Sequence, residues 1–127
     1  ADIICQLPIK HAMIVHSCGI DEISCLGDTQ VIEINGELKN EYTLNPSEVG
    51  LPIHSIDSIT GGDIELNRAL LLEALQGKQG GIKDTIILNV AAALKLLQRC
   101  NSIQEGVDMA KKQINLGELH GVIWKVI

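Results

Sequence analysis

At 127 residues and 13.7 kDa the chain holds one domain at most, and about two-thirds of its unfolded surface can be buried, enough for one core without a disulfide or metal staple. Hydrophobic residues at 46% against charged residues at 20% argue against intrinsic disorder. A net charge of −6 disfavours generic binding of nucleic acid or anionic membrane, so a polyanionic ligand needs a metal or a local cluster of donors to receive it.

From the N-terminus, Ile3 to Ile9 is free of charge but far too short to span a bilayer, and it lacks the basic start of a signal peptide. The chain begins at Ala1 rather than Met, which suggests processing or part of something longer. Ala12-Met13-Ile14-Val15 is apolar at every position, which suits a strand over 11–16 covered on both faces, as in a parallel sheet. Gly19 then opens a loop holding Asp21 and Glu22. Val31-Ile32-Glu33-Ile34, Asn35-Gly36 and the run from Glu37 to Leu44 predict a β-hairpin. Asn-Gly supplies the two positive-φ positions of a type I′ turn. Within it Glu37, Lys39 and Glu41 share one parity and should face water, while Leu38, Tyr42 and Leu44 share the other.

Asn45-Pro46 and Pro52 signal turns. Helical periodicity starts after Gly61-Gly62. Asp63 is a good N-cap, Glu65 suits the positive end of the dipole, and Gly77 is a C′ stop, predicting a helix over 64–76. A second helix over 84–99 carries Ile86, Ile87, Leu88, Val90, Ala91, Ala92, Ala93, Leu94, Leu96 and Leu97, so it is expected to be central and buried. A third over 103–116 opens on Ser102-Ile103-Gln104-Glu105, a capping box. Residues 118–127 are apolar enough to pack down, as helix or strand. Aromatic residues are 2% of the chain, Trp124 and Tyr42 with no Phe, so the core is aliphatic and base stacking has almost no platform.

Chemistry is sparse. Cys5, Cys18, Cys25 and Cys100 make no metal spacing and read as free thiols in a reducing cytoplasm, with Cys18 and Cys25 packing beside the acidic loop. His11, His16, His54 and His120 do not cluster, and only His16 lies near the acidic pair. Gly61-Gly62-Asp63 has the form of an anion nest, but Asp63 itself would repel a phosphate, which favours a turn with an N-cap. Asp21-Glu22, at the mouth of a strand where α/β sheets bind ligands, are two oxygen donors suited to Mg²⁺. Spacing alone favours solvated loop charges.

The order of motifs carries more. His11-Ala12-Met13-Ile14-Val15-His16-Ser17, followed by Gly19-Ile20-Asp21-Glu22-Ile23-Ser24, resembles the anthranilate phosphoribosyltransferase family, whose members have A-x-V-V-H-[GS] followed by G-L-D-E-[IL]-S. Gly27-Asp28-Thr29 stands where the family has G-P-T. Glu41-Tyr42-Thr43-Leu44, Pro46 and Gly50-Leu51 resemble its E-Y-x-[LI]-x-P-x-x-[FL]-G-L stretch. Gly61-Gly62-Asp63 with Asn67 resembles its G-G-D-x-x-x-N helix start. Ile87 to Leu94 resembles L-N-A-A-A-A-L, and Ser102, Glu105-Gly106 and Ala110 match S-x-x-E-G-x-x-x-A. Asp28 in place of Pro, Cys18 before Gly19 and Pro8 before the strand depart from the pattern.

The resemblance implies an α/β fold: residues 1–127 as the C-terminal part of a nucleoside phosphorylase/phosphoribosyltransferase-type domain, with a β-hairpin and three C-terminal helices. The N-terminal helical domain and the diphosphate-loop region are absent from it. It implies transfer of a phosphoribosyl group from phosphoribosyl diphosphate to anthranilate, a step of tryptophan biosynthesis, by a cytoplasmic homodimer. Asp21 and Glu22 would hold Mg²⁺, and the isolated 127-residue chain would be inactive. Neither a general base nor a substrate contact is assigned within the chain. Two alternatives share the fold: a non-enzymatic nucleic-acid-binding relative, which the charge and the lack of aromatics disfavour, and a pyrimidine-nucleoside phosphorylase, which the D-E-[IL]-S segment disfavours.

Overall fold

The computed structural model describes residues 2–5 and 7–115. The expected packing of residues 118–127, including Trp124 and His120, lies outside them. A short helix α1 (Asp2–Cys5), not anticipated from the sequence, precedes three strands, β1 (His11–Ser17), β2 (Thr29–Asn35) and β3 (Leu38–Leu44). Two 3₁₀ turns at Pro46–Val49 and Ile56–Ser58 lead into α2 (Ile64–Leu75), α3 (Gly81–Leu96) and α4 (Ile103–Asn115). This is the expected α/β arrangement, with no strand anywhere in 84–99. Among the described residues no helix is long and apolar enough to cross a membrane.

The sheet has the order β1-β2-β3 and is antiparallel throughout, with Ile14 opposite Ile32 and Val31 opposite Tyr42. The expected parallel, doubly covered strand is corrected here. β1 is an edge strand, and its residues 11–15 are only half-buried. Met13 and Val15 pack on the core and Ser17 is buried, while the alternate parity ends on an exposed His16. A continuous apolar run cannot by itself distinguish two covered faces from one.

The hairpin is real, but its turn is set one residue later than Asn35-Gly36. Asn35 pairs with Leu38, leaving Gly36 and Glu37 as the connection. Only Gly36 has a positive φ, of 60°. Glycine at the first central position with an ordinary second residue is the pattern of a type II′ turn, which matches strand twist as well as type I′ does. Lys39 and Glu41 face water and bridge at 2.8 Å.

The helices start and stop where local chemistry directs. Asp63 accepts from the Leu66 N–H at 2.8 Å, and Gly77, with φ of 92°, ends α2 with its N–H bonded to the Ala74 carbonyl. Ser102 Oγ accepts from the Glu105 N–H at 3.1 Å, while Glu105 Oε2 reaches back to the Asn101 N–H at 2.9 Å. The capping box therefore closes one residue early. α3 begins at Gly81 rather than Asp84, which buries Lys83 and Asp84 in its first turn.

The core lies where α3 meets α4 and the sheet: Ile87, Leu88 and Ala91 of α3, Val107, Ala110 and Ile114 of α4, with Ile23, Cys25, Val31 and Leu44. Gly106 lets the two helices come close, because a Cβ there would sit 2.8 Å from the Ala91 carbonyl oxygen. Lys95 of α3 ties the sheet to the helices. Its Nζ bonds Glu33 Oε2 at 2.5 Å and lies 5.4 Å from the centre of the Tyr42 ring, while the Tyr42 hydroxyl donates to the same carboxylate at 3.0 Å. Burial first, and then the Glu33 charge, push the Tyr42 pKa up. The expectation that α3 is buried all round holds for one side only. Ile86, Val90 and Leu94 line an open apolar groove of about 510 Å³ with Leu75 and Met109.

Candidate functional site

The segment between β1 and β2 is built on a tight turn. Cys18 and Gly19 have φ of 50° and 81°. The Ser17 N–H donates to the Ile20 carbonyl at 3.0 Å, and the Ile20 N–H donates back to the Ser17 carbonyl at 2.7 Å. Two successive positive-φ residues with reciprocal bonds are the signature of a type I′ turn. Gly19 adopts this conformation freely, whereas Cys18 does so at a cost of about 1–2 kcal/mol. Asp21 and Glu22 follow at once, both exposed.

Immediately beyond the pair the chain plunges into the core. Ile23, Ser24 and Cys25 are 3%, 1% and 0% exposed, so their backbone groups must find partners inside the protein. They do so mainly on α3. Asn89 Nδ2 donates to the Ile23 carbonyl at 2.6 Å and to the Thr85 carbonyl of its own helix at 2.9 Å. The Cys25 N–H donates to Thr85 Oγ1 at 3.4 Å, and the Cys25 carbonyl accepts from the His54 N–H at 2.7 Å. On the strand side, Ser17 and Ser24 place their hydroxyl oxygens 2.8 Å apart, both fully buried. The two carboxylates thus sit at the water-facing crest of a segment anchored at both ends.

The pair stands without further metal-type ligands. Among the described residues no three of His, Cys, Asp and Glu gather where a metal ion could be held. Two adjacent exposed carboxylates fit a hard cation that fills its other positions with water and ligand oxygens, as Mg²⁺ does. They do not fit a closed structural metal centre, which needs four protein ligands.

The remaining candidates resolve as local structure. His54 Nε2 lies 2.8 Å from Oδ2 of the buried Asp84, a pairing 30 residues apart that sequence spacing does not reveal. His16 is exposed on β1 and His11 is half-buried at its start. The glycine nest is closed, because Asn67 Oδ1 accepts from the Gly62 N–H at 2.8 Å and Asn67 Nδ2 donates to the Gly62 carbonyl at 3.1 Å. Asp28, the departure from Pro, accepts from Asn45 Nδ2 at 2.7 Å, and Asn45 Oδ1 in turn caps Ser47 at 2.8 Å. Cys18, Cys25 and Cys100 are free thiols, as expected. Cys18, expected to pack, is exposed instead, because the positive-φ turn carries it outward. Cys25 is a core residue. Burial, and secondarily the Asp84 charge, push its thiol from 9.0 up to about 11.

Sequence reading missed the pairing of Ser17 with Ser24, the pairing of His54 with Asp84, and the roles of Thr85 and Asn89. A signal existed for Asn89, since it is a polar residue in an otherwise apolar stretch. A buried-facing amide calls for a partner, but only the folded chain says which.

Comparison with known proteins bears on the family and the fold. The model of a glycosyl transferase family, a/b domain, matches residues 1–119. The anthranilate phosphoribosyltransferase of Syntrophomonas wolfei subsp. wolfei is 38% identical over 123 residues, covering 96% of this chain and 36% of that protein. Among solved structures, anthranilate phosphoribosyltransferase from Thermus thermophilus superposes with a TM-score of 0.82 at 31% identity, covering 91% of this chain and 34% of that one. The enzyme from Saccharomyces cerevisiae in complex with PRPP and Mg gives a TM-score of 0.74 at 32% identity, covering 87% of this chain and 32% of that one. The chain therefore spans about a third of the length of the relatives it matches.

Proposed function

The chain belongs to the glycosyl transferase family, a/b domain, and on that premise we propose that the complete protein transfers the phosphoribosyl group of phosphoribosyl diphosphate to the amine of anthranilate. The observation that carries the proposal is the exposed pair Asp21-Glu22 on a turn tied down at both ends. In this reading residues 1–127 are the C-terminal part of the α/β domain. The diphosphate cradle and the anthranilate contacts come from elsewhere in a cytoplasmic homodimer.

Mg²⁺, when bound, neutralises charge that builds on the leaving diphosphate and orients the donor. Asp21 and Glu22 would hold it by their carboxylate oxygens. Without a cation between them and the donor, these residues would repel a polyanion, so their charge directs the donor to arrive as its magnesium complex. The buried anchors at Ser17, Ile23 and Cys25 hold the segment that carries the two carboxylates. No described residue is assigned a proton transfer. An aromatic amine held close to an electron-poor ribose carbon gains chiefly from positioning.

The test is steady-state kinetics of the complete protein across magnesium concentration for Asp21→Asn and Glu22→Gln, which keep shape and remove charge. The half-saturating magnesium concentration should rise by about tenfold or more, with melting temperatures unchanged and Glu22 mattering at least as much as Asp21. Wild-type magnesium dependence in both variants would reduce the pair to solvated loop charge. The 127-residue chain alone should give no turnover, since several preorganised donors, each worth about 10²–10³, lie outside it.

A further inference from the structure

We propose that Asn89 is the positioning residue of the magnesium-binding turn, setting from helix α3 where Asp21 and Glu22 stand. The inference rests on the reading of that pair given above, and adds a residue that acts through the Ile23 carbonyl.

The geometry has three parts. First, the Asn89 amide donates to two carbonyls: that of Thr85, a turn back in its own helix, and that of Ile23, 66 residues away. The first bond fixes the side-chain rotamer, so the second is delivered from a fixed point. Second, that point is rigid. Asn89 is half-buried beside the exposed Val90, but Leu88 and Ala91 on either side of them are both 0% exposed, in the middle of a 16-residue helix packed on α4 and the sheet. Third, the acceptor is the carbonyl of the residue immediately after Glu22. At 2.6 Å the bond is short, and Ile23 is 3% exposed, so water has little access to replace the lost donor.

The other anchors leave this contact decisive. The Ser17–Ser24 hydroxyl pair and the reciprocal Ser17–Ile20 bonds fix the turn to β1. The Thr85 hydroxyl holds the Cys25 N–H at 3.4 Å, a longer and weaker bond. Asn89 is therefore the tight link between the carboxylates and the helical layer. Groups that orient ligands from behind commonly affect metal affinity by about 10–100-fold when removed.

The experiment uses the complete protein with Asn89→Leu, of similar size but without donors, and Asn89→Ser as a smaller variant should leucine impair folding. Asp21→Asn and Glu22→Gln run in parallel. Three readouts are compared: magnesium titrations of activity, calorimetric titration with Mg²⁺ alone, and amide hydrogen exchange over residues 20–26 of metal-free protein. The expected result is about a tenfold rise in the half-saturating magnesium concentration, with kcat at saturating magnesium retained. Exchange over 20–26 should quicken while 86–93 stays protected. If Asn89 variants keep wild-type magnesium affinity and exchange while Asp21→Asn shifts its curve, the acidic pair stands and the role of Asn89 is lost. A loss of activity equal at every magnesium concentration and parallel to the melting shift makes Asn89 a packing residue only, and overturns the proposal. Wild-type magnesium dependence in Asp21→Asn and Glu22→Gln removes the metal assignment itself, and this inference with it.

Discussion

Gly106→Ala is expected to destabilise the protein even though it places the best helix former within α4, one turn from its start. Alanine favours a helix interior over glycine by about 1 kcal/mol, so on local grounds the variant should gain stability. The tertiary structure reverses the sign. A Cβ at position 106 lies 2.8 Å from the Ala91 carbonyl oxygen, 2.9 Å from its Cα and 3.0 Å from its Cβ. Two of these three atoms are backbone of α3 and cannot rotate away. Restoring an ordinary contact of about 3.5 Å requires the helices to part by roughly 0.7 Å, and a gap of that size forfeits about a quarter to a half of each dispersion well beside it. The contacts at risk are those of Ile87, Leu88 and Ala91 with Val107 and Ala110. Overpacking of this kind costs about 1–3 kcal/mol; at the middle of that range, about 2 kcal/mol, it exceeds the propensity gain and leaves a net loss of about 1 kcal/mol. With a urea slope of about 2 kcal/mol/M, the unfolding midpoint should fall by about 0.5 M at unchanged slope. Gly106→Val should fall further, because bulk increases while propensity worsens. A midpoint for Gly106→Ala equal to or above wild type would refute the reasoning, since it would mean that α3 and α4 separate at no cost.

Cys18→Asn should raise the urea midpoint, by about 0.5–1 kcal/mol of stability, because asparagine tolerates the positive φ that cysteine occupies under strain; a lowered midpoint would show that the thiol itself contributes to the turn. At pH 8 an alkylating reagent should modify the exposed Cys18 well before the buried Cys25, as mass mapping of the labelled peptides would establish. The folded-state pKa of Cys25, about 11, stands above the unfolded 9.0. Its contribution to stability is therefore complete below pH 9 and is lost as pH rises toward 11. Cys25→Ala should flatten that part of the alkaline limb in denaturation measured against pH, with Tyr42 still contributing at higher pH.

The sequence alone determined most of the local elements of this protein and the residue types at its proposed site. Asp63, Gly77 and Ser102 act on backbone groups within four residues of themselves, so their effects are legible without the fold, and the observed helix ends agree with them. Asp21 and Glu22 follow the turn after β1, as their order in the chain suggested, and the resemblance implies a chemistry that two carboxylates could not specify. What the tertiary structure decided depends on distance between partners. The antiparallel placement of β1, the shift of the hairpin turn to Gly36-Glu37 and the exposed flank of α3 follow from which faces meet, and a run of apolar residues fits several answers. The same holds behind the acidic pair. Asn89 reaches Ile23 across 66 residues, Thr85 reaches Cys25 across 60, and His54 reaches Asp84 across 30. Periodicity reports the face a side chain occupies. Only the packed chain reveals which buried carbonyl or carboxylate awaits it there, because satisfying that group is a property of two segments at once.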